Sequence, residues 1–222
     1  VQTCALPIYS NFKGNYPAFA DAGFRNIVLD LPGFGRSDKP ADAHYNLDFF
    51  VSRLSAFLDV IGVNRCTLLG NSLGGAIALG QALARPDLVE RLILMAPGGV
   101  EDLDTYLAMP GIANMFKVYQ SGKTGAAAMR DVMTMQLFDP TLLTDDIINE
   151  RAPIAETQTQ AARSILKVPN MTERLHELRC PVFGFWGVND AFNPVSGASK
   201  LVDGLPQDVV KLGVFRDRKS VV

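Results

Sequence analysis

Histidine is the scarce residue of this chain, with two in 222 positions, beside a single tryptophan and three cysteines. The cysteines form no C-x-x-C pair and no cluster with histidine, which excludes a zinc site and a disulfide framework. Cys66 and Cys180 open expected buried strands, so reduced core thiols and a cytoplasmic setting are the reading. An excess of one charge is also lacking: 21 Lys+Arg against 23 Asp+Glu give a formal net charge of -2. With no long basic run, neither nucleic acid nor an anionic membrane is the expected partner. No apolar stretch reaches bilayer length, since the longest, around Gly74 to Leu83, carries Gln81. What remains, 48% apolar and 20% charged, is the composition of one sizeable α/β domain whose default partner is a small molecule.

Short apolar runs alternate with helical patterns. Ile27-Val28-Leu29 reads as a strand entering the turn-rich Asp30 to Asp38 segment. Leu47, Phe50, Val51, Leu54, Phe57, Leu58 and Ile61 recur at three- and four-residue steps, predicting an amphipathic helix stopped by Gly62. Arg91 to Met95, Pro181 to Trp186 and Val209 to Phe215 read as further strands, so a mostly parallel sheet wrapped by helices is expected. Between Pro97-Gly98-Gly99 and about Pro169 the pattern is helical without strands. Its apolar faces carry Met109, Met115, Met129, Met133 and Met135, as a helical cap with adaptable packing would.

Thr67-Leu68-Leu69 runs into Gly70-Asn71-Ser72-Leu73-Gly74 and then an Ala- and Leu-rich helix. Strand before and helix after are what a nucleophile elbow demands, and they weigh against an ordinary glycine-rich helix start. Ser72 is then the nucleophile, with glycines at minus two and plus two making room for a sharp corner. The Leu73 N–H, at a helix N-terminus, can meet an oxyanion. Asp190, in Trp186-Gly187-Val188-Asn189-Asp190, leaves a strand end where the orienting acid belongs in the order serine, acid, histidine. The competing reading is an aspartate that only closes a turn with its own backbone.

A serine hydroxyl needs a base of near-neutral pKa. His44 lies in a loop far upstream, and His176 in a helix leading into the start of the Pro181 strand, so both read as structural or exposed. The chain as it stands is therefore expected to be nearly inert.

Val1 to Ile8 is the in-frame translation of GTTCAGACGTGTGCTCTTCCGATC, a short-read sequencing adapter, and Asp217 to Val222 that of GATCGGAAGAGCGTCGTG, its opposite-end counterpart. Such segments are set aside in fold reasoning. The expected organisation is therefore an adapter-like 1–8, a core over 9–100, a cap over 101–168, a second core part over 169–216 and an adapter-like 217–222.

The assembled residues resemble the meta-cleavage product hydrolases, carbon–carbon hydrolases of the α/β-hydrolase family that act on 2-hydroxy-6-oxohexa-2,4-dienoate-type ring-fission products. The elbow and the Asp30 to Asp38 loop mark the superfamily. Asn71 before the nucleophile, Leu92 to Gly99, Trp186-Gly187 before Asp190, and Tyr9-Ser10-Asn11-Phe12 are more specific. The resemblance implies an α/β-hydrolase fold with a cap, no cofactor or metal, and Ser72, Asp190 and the Leu73 amide as catalytic groups. It further implies Asn11, Asn71 and Arg151 as the groups that bind the polar dienoate end: arginine grips a carboxylate at two points, and asparagines bond enol or keto oxygens without adding charge. The family reaction makes a ketone by proton transfer, adds serine or activated water to it and breaks a carbon–carbon bond. An ester or lactone hydrolase and a non-catalytic ligand-binding protein are the alternatives, and a homo-oligomeric parent is left undecided. The family's glycine-rich oxyanion loop and histidine turn are expected outside Tyr9 to Arg216. In that fold the loop-bearing strand lies between the Ile27 strand and the elbow strand, so an open slot is expected there, with exposed strand edges and poor solubility.

Overall fold

The computed structural model describes residues 2–6, 11–137, 139–157, 168–206 and 210–215. Six strands form one parallel sheet: β1 (Gln2–Leu6), β2 (Arg25–Val28), β3 (Cys66–Asn71), β4 (Val89–Met95), β5 (Val182–Gly187) and β6 (Val210–Phe215), in the order β2-β1-β3-β4-β5-β6. The expected slot is filled. Gln2–Leu6 pairs in parallel with β2 on one side, Cys4 opposite Ile27, and with β3 on the other, Cys4 opposite Leu68. A five-residue strand satisfies both neighbours' backbone donors and acceptors, which an open slot would leave unpaired. The Ile27 strand therefore reaches the elbow strand only through β1. Val209, the expected start of the last strand, lies outside the described residues.

Helices cover the sheet where apolar spacing requires them. α1 (Tyr16–Asp21) leads to β2, and α2 (Leu47–Val60) buries Phe50, Leu54 and Leu58. The Asn46 side chain caps α2 by accepting from Phe49 N at 2.9 Å, and Gly62 at φ +70° ends it. α3 (Leu73–Ala84) is buried from Gly74 to Ala82 because it lies between the sheet and α2. Gly80 allows that approach, since a Cβ there would meet Val51 Cγ2 at 3.0 Å. In this interface the polar side chains of Gln81 and Ser55 bond each other at 2.9 to 3.0 Å.

Between β4 and β5 the described residues form α4 (Leu103–Leu107), α5 (Pro110–Gln120), α6 (Gly125–Met133), a 3-10 turn (Pro140–Leu142), α7 (Asp145–Glu156) and a second 3-10 turn (Thr172–Glu177), without a strand. Met133, Leu137, Leu143 and Ile148 give this segment a small core of its own, with Met129 packed against it. Its first residues are tied down. Glu101 accepts from Ser196 Oγ and Lys200 Nζ of α8 (Ser196–Gly204), both at 2.6 Å, and Asp102 accepts from Asn170 Nδ2 at 2.8 Å.

Candidate active site

β3 is buried along its whole length and delivers the chain to Ser72 in a conformation few side chains adopt, φ 53° and ψ -116°. Such backbone costs about 1–3 kcal/mol and persists only where its surroundings over-determine it. Here Ser72 N donates to Met95 O at 3.0 Å, while Ser72 O accepts from Gly98 N at 2.8 Å and Ala76 N at 3.1 Å. Two further features hold the corner. A Cβ on Gly70 would lie 2.3 Å from the Gly74 carbonyl oxygen, and one on Gly75 2.6 Å from Pro97 Cβ. Behind the corner Ala96 also has positive φ, 42°, so the Ala96-Pro97-Gly98 turn is a second strained element backing the first. Ser72 is half-buried, and Leu73 is the first residue of α3, where helix geometry leaves amides without an intrahelical acceptor.

Asp190 stands in the turn after β5 and is 7% exposed. Its Oδ1 accepts from the backbone N–H groups of Phe192 at 2.8 Å and Asn193 at 2.9 Å. The turn-closing role is therefore real, and it occupies one oxygen. Oδ2 is buried with no hydrogen-bond partner among the described residues. A buried carboxylate oxygen without a donor costs about 1–3 kcal/mol or more, so a structure that keeps one is set to receive an N–H.

Asn193 joins this turn to Ser72. Its backbone N–H meets Asp190 Oδ1, its carbonyl accepts from Trp186 Nε1 at 3.2 Å, and its side-chain Nδ2 donates to Ser72 Oγ at 3.4 Å. Ser72 and Asp190 are thus brought together through one intervening residue. Sequence reasoning did not single out Asn193, although an aspartate-closed turn folds the residue three places on back against the acid, which was a usable signal.

The remaining candidates are placed as follows. Asn71 is 4% exposed at the end of β3, its Nδ2 donating to Met95 O at 3.2 Å. Asn11 is half-buried beside Phe12, which packs on Leu69 of β3 and so fixes the segment against the elbow strand. Arg151 is 9% exposed on α7, and burial depresses its pKa against the opposing pull of Glu150. An ion pair between Lys13 and Glu150 links the segment after Asn11 to the residue before Arg151. Neither histidine is at the site: His44 is exposed in the loop before α2, and His176 is exposed in the 3-10 turn Thr172–Glu177. No group of three or more His, Cys, Asp or Glu able to hold a metal occurs among the described residues.

The family model of the alpha/beta hydrolase fold matches residues 8–217. A 2-hydroxy-6-oxononadienedioate/2-hydroxy-6-oxononatrienedioate hydrolase of Comamonas testosteroni is 32% identical over 93% of this chain and 74% of its own length. The chain belongs to the α/β-hydrolase fold family, among its meta-cleavage product hydrolases. A 2-hydroxy-6-oxo-6-phenylhexa-2,4-dienoate hydrolase of Burkholderia cepacia is likewise 32% identical, over the same shares of the two chains. Among solved structures, the hydrolase of that same name from a Rhodococcus strain superposes with a TM-score of 0.80 at 21% identity, over 98% of this chain and 83% of that one, a likeness of fold. The parallel sheet with its covering helices is thus that of the α/β-hydrolase fold. No described helix is long and apolar enough to cross a membrane.

Proposed function

We propose that this chain carries the substrate site of a carbon–carbon hydrolase for 2-hydroxy-6-oxo-2,4-dienoates, the products of aromatic ring opening. The observation that carries the reading is the pairing of Ser72, on a strained elbow, with a buried Asp190 oxygen awaiting a donor, in a chain 32% identical to dienoate hydrolases. Water is the second substrate. A proton first passes from the 2-hydroxyl to C5, leaving a 2-oxo group conjugated with the C3–C4 double bond; the oxygen of water then ends on the C6 ketone carbon, the C5–C6 bond breaks, and its electron pair passes into the 2-oxo group, whose oxygen takes up a proton. The products are a shorter 2-hydroxydienoate and a carboxylic acid. Ser72 is the nucleophile or the group that aligns water, the Leu73 N–H faces the oxyanion, and Asp190 Oδ2 orients the base. Arg151, whose burial favours an anionic partner, holds the substrate carboxylate, with Asn11 and Asn71 on the neighbouring oxygens. The described residues of 101–168 form the cap, which meets the core at the acid turn through Gly111 and on the Asn11 side through Glu150. The setting is cytoplasmic.

With both histidines exposed elsewhere, this 222-residue chain is a binder with slow turnover. Mixed with a coloured ring-fission dienoate, it should shift the visible absorbance of the compound on binding, and the slow loss of colour should stop in Ser72→Ala. Faster hydrolysis of a nitrophenyl ester than of the dienoate would overturn the assignment in favour of an esterase.

A further inference from the structure

Across the C-terminal edge of the sheet the groups fall in a line set by strand order. Asn11 follows β1, Ser72 follows β3, and Asp190 and Asn193 follow β5. The Lys13–Glu150 pair keeps Arg151 on the Asn11 side. A substrate whose dienoate end points to Asn11 and Arg151, and whose ketone carbon sits at Ser72, therefore directs its remaining substituent toward the turn after β5. Two side chains of that turn are in place to meet it: Phe192, 5% exposed, and Asn193, 4% exposed.

We propose that Asn193 is a specificity residue that selects a substituent ending in a hydrogen-bond acceptor, above all a carboxylate, over a bare phenyl ring. The inference rests on the dienoate reading above and deepens it. Three contacts prevent the amide from turning away. Its own N–H and C=O are both occupied, by Asp190 Oδ1 and Trp186 Nε1, and the turn is clamped from the other side where Gly111 N donates to Ala191 O at 2.7 Å. Gly111 admits no larger residue there, since a Cβ would lie 2.7 Å from both Ala191 O and the Phe192 ring. The Nδ2 donor rests on Ser72 Oγ at 3.4 Å, a long bond. So weakly held a donor can bond instead to a stronger acceptor that the substrate brings within reach. A carboxylate supplies one, whereas a phenyl ring leaves the amide on its long bond to Ser72.

The test is titration of the 222-residue chain with two coloured ligands, 2-hydroxy-6-oxononadienedioate and 2-hydroxy-6-oxo-6-phenylhexa-2,4-dienoate, read as bound-state absorbance. Trp186 emission, from the single tryptophan, serves as the folding control. Relative to the unaltered chain, Asn193→Leu should weaken the dioate against the phenyl compound by about 10- to 100-fold, the range of a hydrogen bond to a charged group. Asn193→Asp, nearly identical in shape and so retained if the leucine variant unfolds, should weaken the dioate at least as much by like-charge repulsion while sparing the phenyl compound. A ratio unchanged within about twofold in the folded variants overturns the role of Asn193 alone. Failure of the unaltered chain to bind either dienoate overturns it together with the dienoate reading.

Discussion

Gly70→Ala tests whether a glycine two places before Ser72 is required by crossing backbone. The added methyl would lie 2.3 Å from Gly74 O, 2.5 Å from Gly74 C and 2.7 Å from Gly75 N. All three are main-chain atoms at the start of α3, so no rotamer change relieves the clash. The corner would have to open, and it is pinned by Ser72 N to Met95 O, Gly98 N to Ser72 O and the packing of Pro97 on Gly75. Overpacking a rigid site costs about 1–3 kcal/mol where neighbours can give, and a site bounded by backbone belongs at or above the upper end, about 3 kcal/mol. At roughly 2–4 °C per kcal/mol for a chain of this size, Tm should fall by about 6–12 °C. Calorimetry measures that fall, with Trp186 emission marking the fraction still folded. A Tm within about 2 °C of the unaltered chain would refute the account of the elbow.

The other expectations follow from the same contacts. Ser72→Gly should melt higher than Ser72→Ala, by about 1–2 kcal/mol in denaturant titration, because both lose the Asn193 bond and only glycine relieves φ 53°. Asp190→Ala should destabilise by about 2–4 kcal/mol and shift Trp186 emission, since it strands two buried N–H groups, whereas Asp190→Asn keeps an acceptor and should cost less. Added imidazole should raise dienoate turnover in a Ser72-dependent way, increasing with pH through roughly 6.5 as the neutral base accumulates, because Asp190 Oδ2 offers an acceptor for its N–H; no acceleration would count against the acid role. Burial raises the Cys66 and Cys180 thiols from 9.0 to about 11. The folded state thus holds protons that the unfolded state releases, so stability is intact below pH 9 and falls between pH 9 and 11, which a series of urea titrations over that range would show.

Features written in local spacing were legible in the sequence. The 3.6-residue recurrence from Leu47 to Ile61 marked the helix that the structure has as Leu47–Val60, and the strand-glycine-serine-glycine order marked the elbow because a sharp corner admits few residues. Asp190 was singled out by its place after Ser72 in the chain, and the structure joins both residues to Asn193. What escaped depends on which strands become neighbours. Nothing local in Gln2–Leu6 marks it as a partner for both Arg25–Val28 and Cys66–Asn71; the unpaired backbone on each side of that position supplies the reason, and only the sheet order reveals it. Asn193 lies between the two kinds of information. Its place beside Asp190 follows from turn chemistry, but its reach to Ser72, 121 residues away, exists only because β3 and β5 end at the same edge of the sheet with β4 between them. The side chain that reaches Ser72 Oγ from the far side of β4 is therefore less visible in sequence than the elbow, because its position follows from sheet order and not from local spacing.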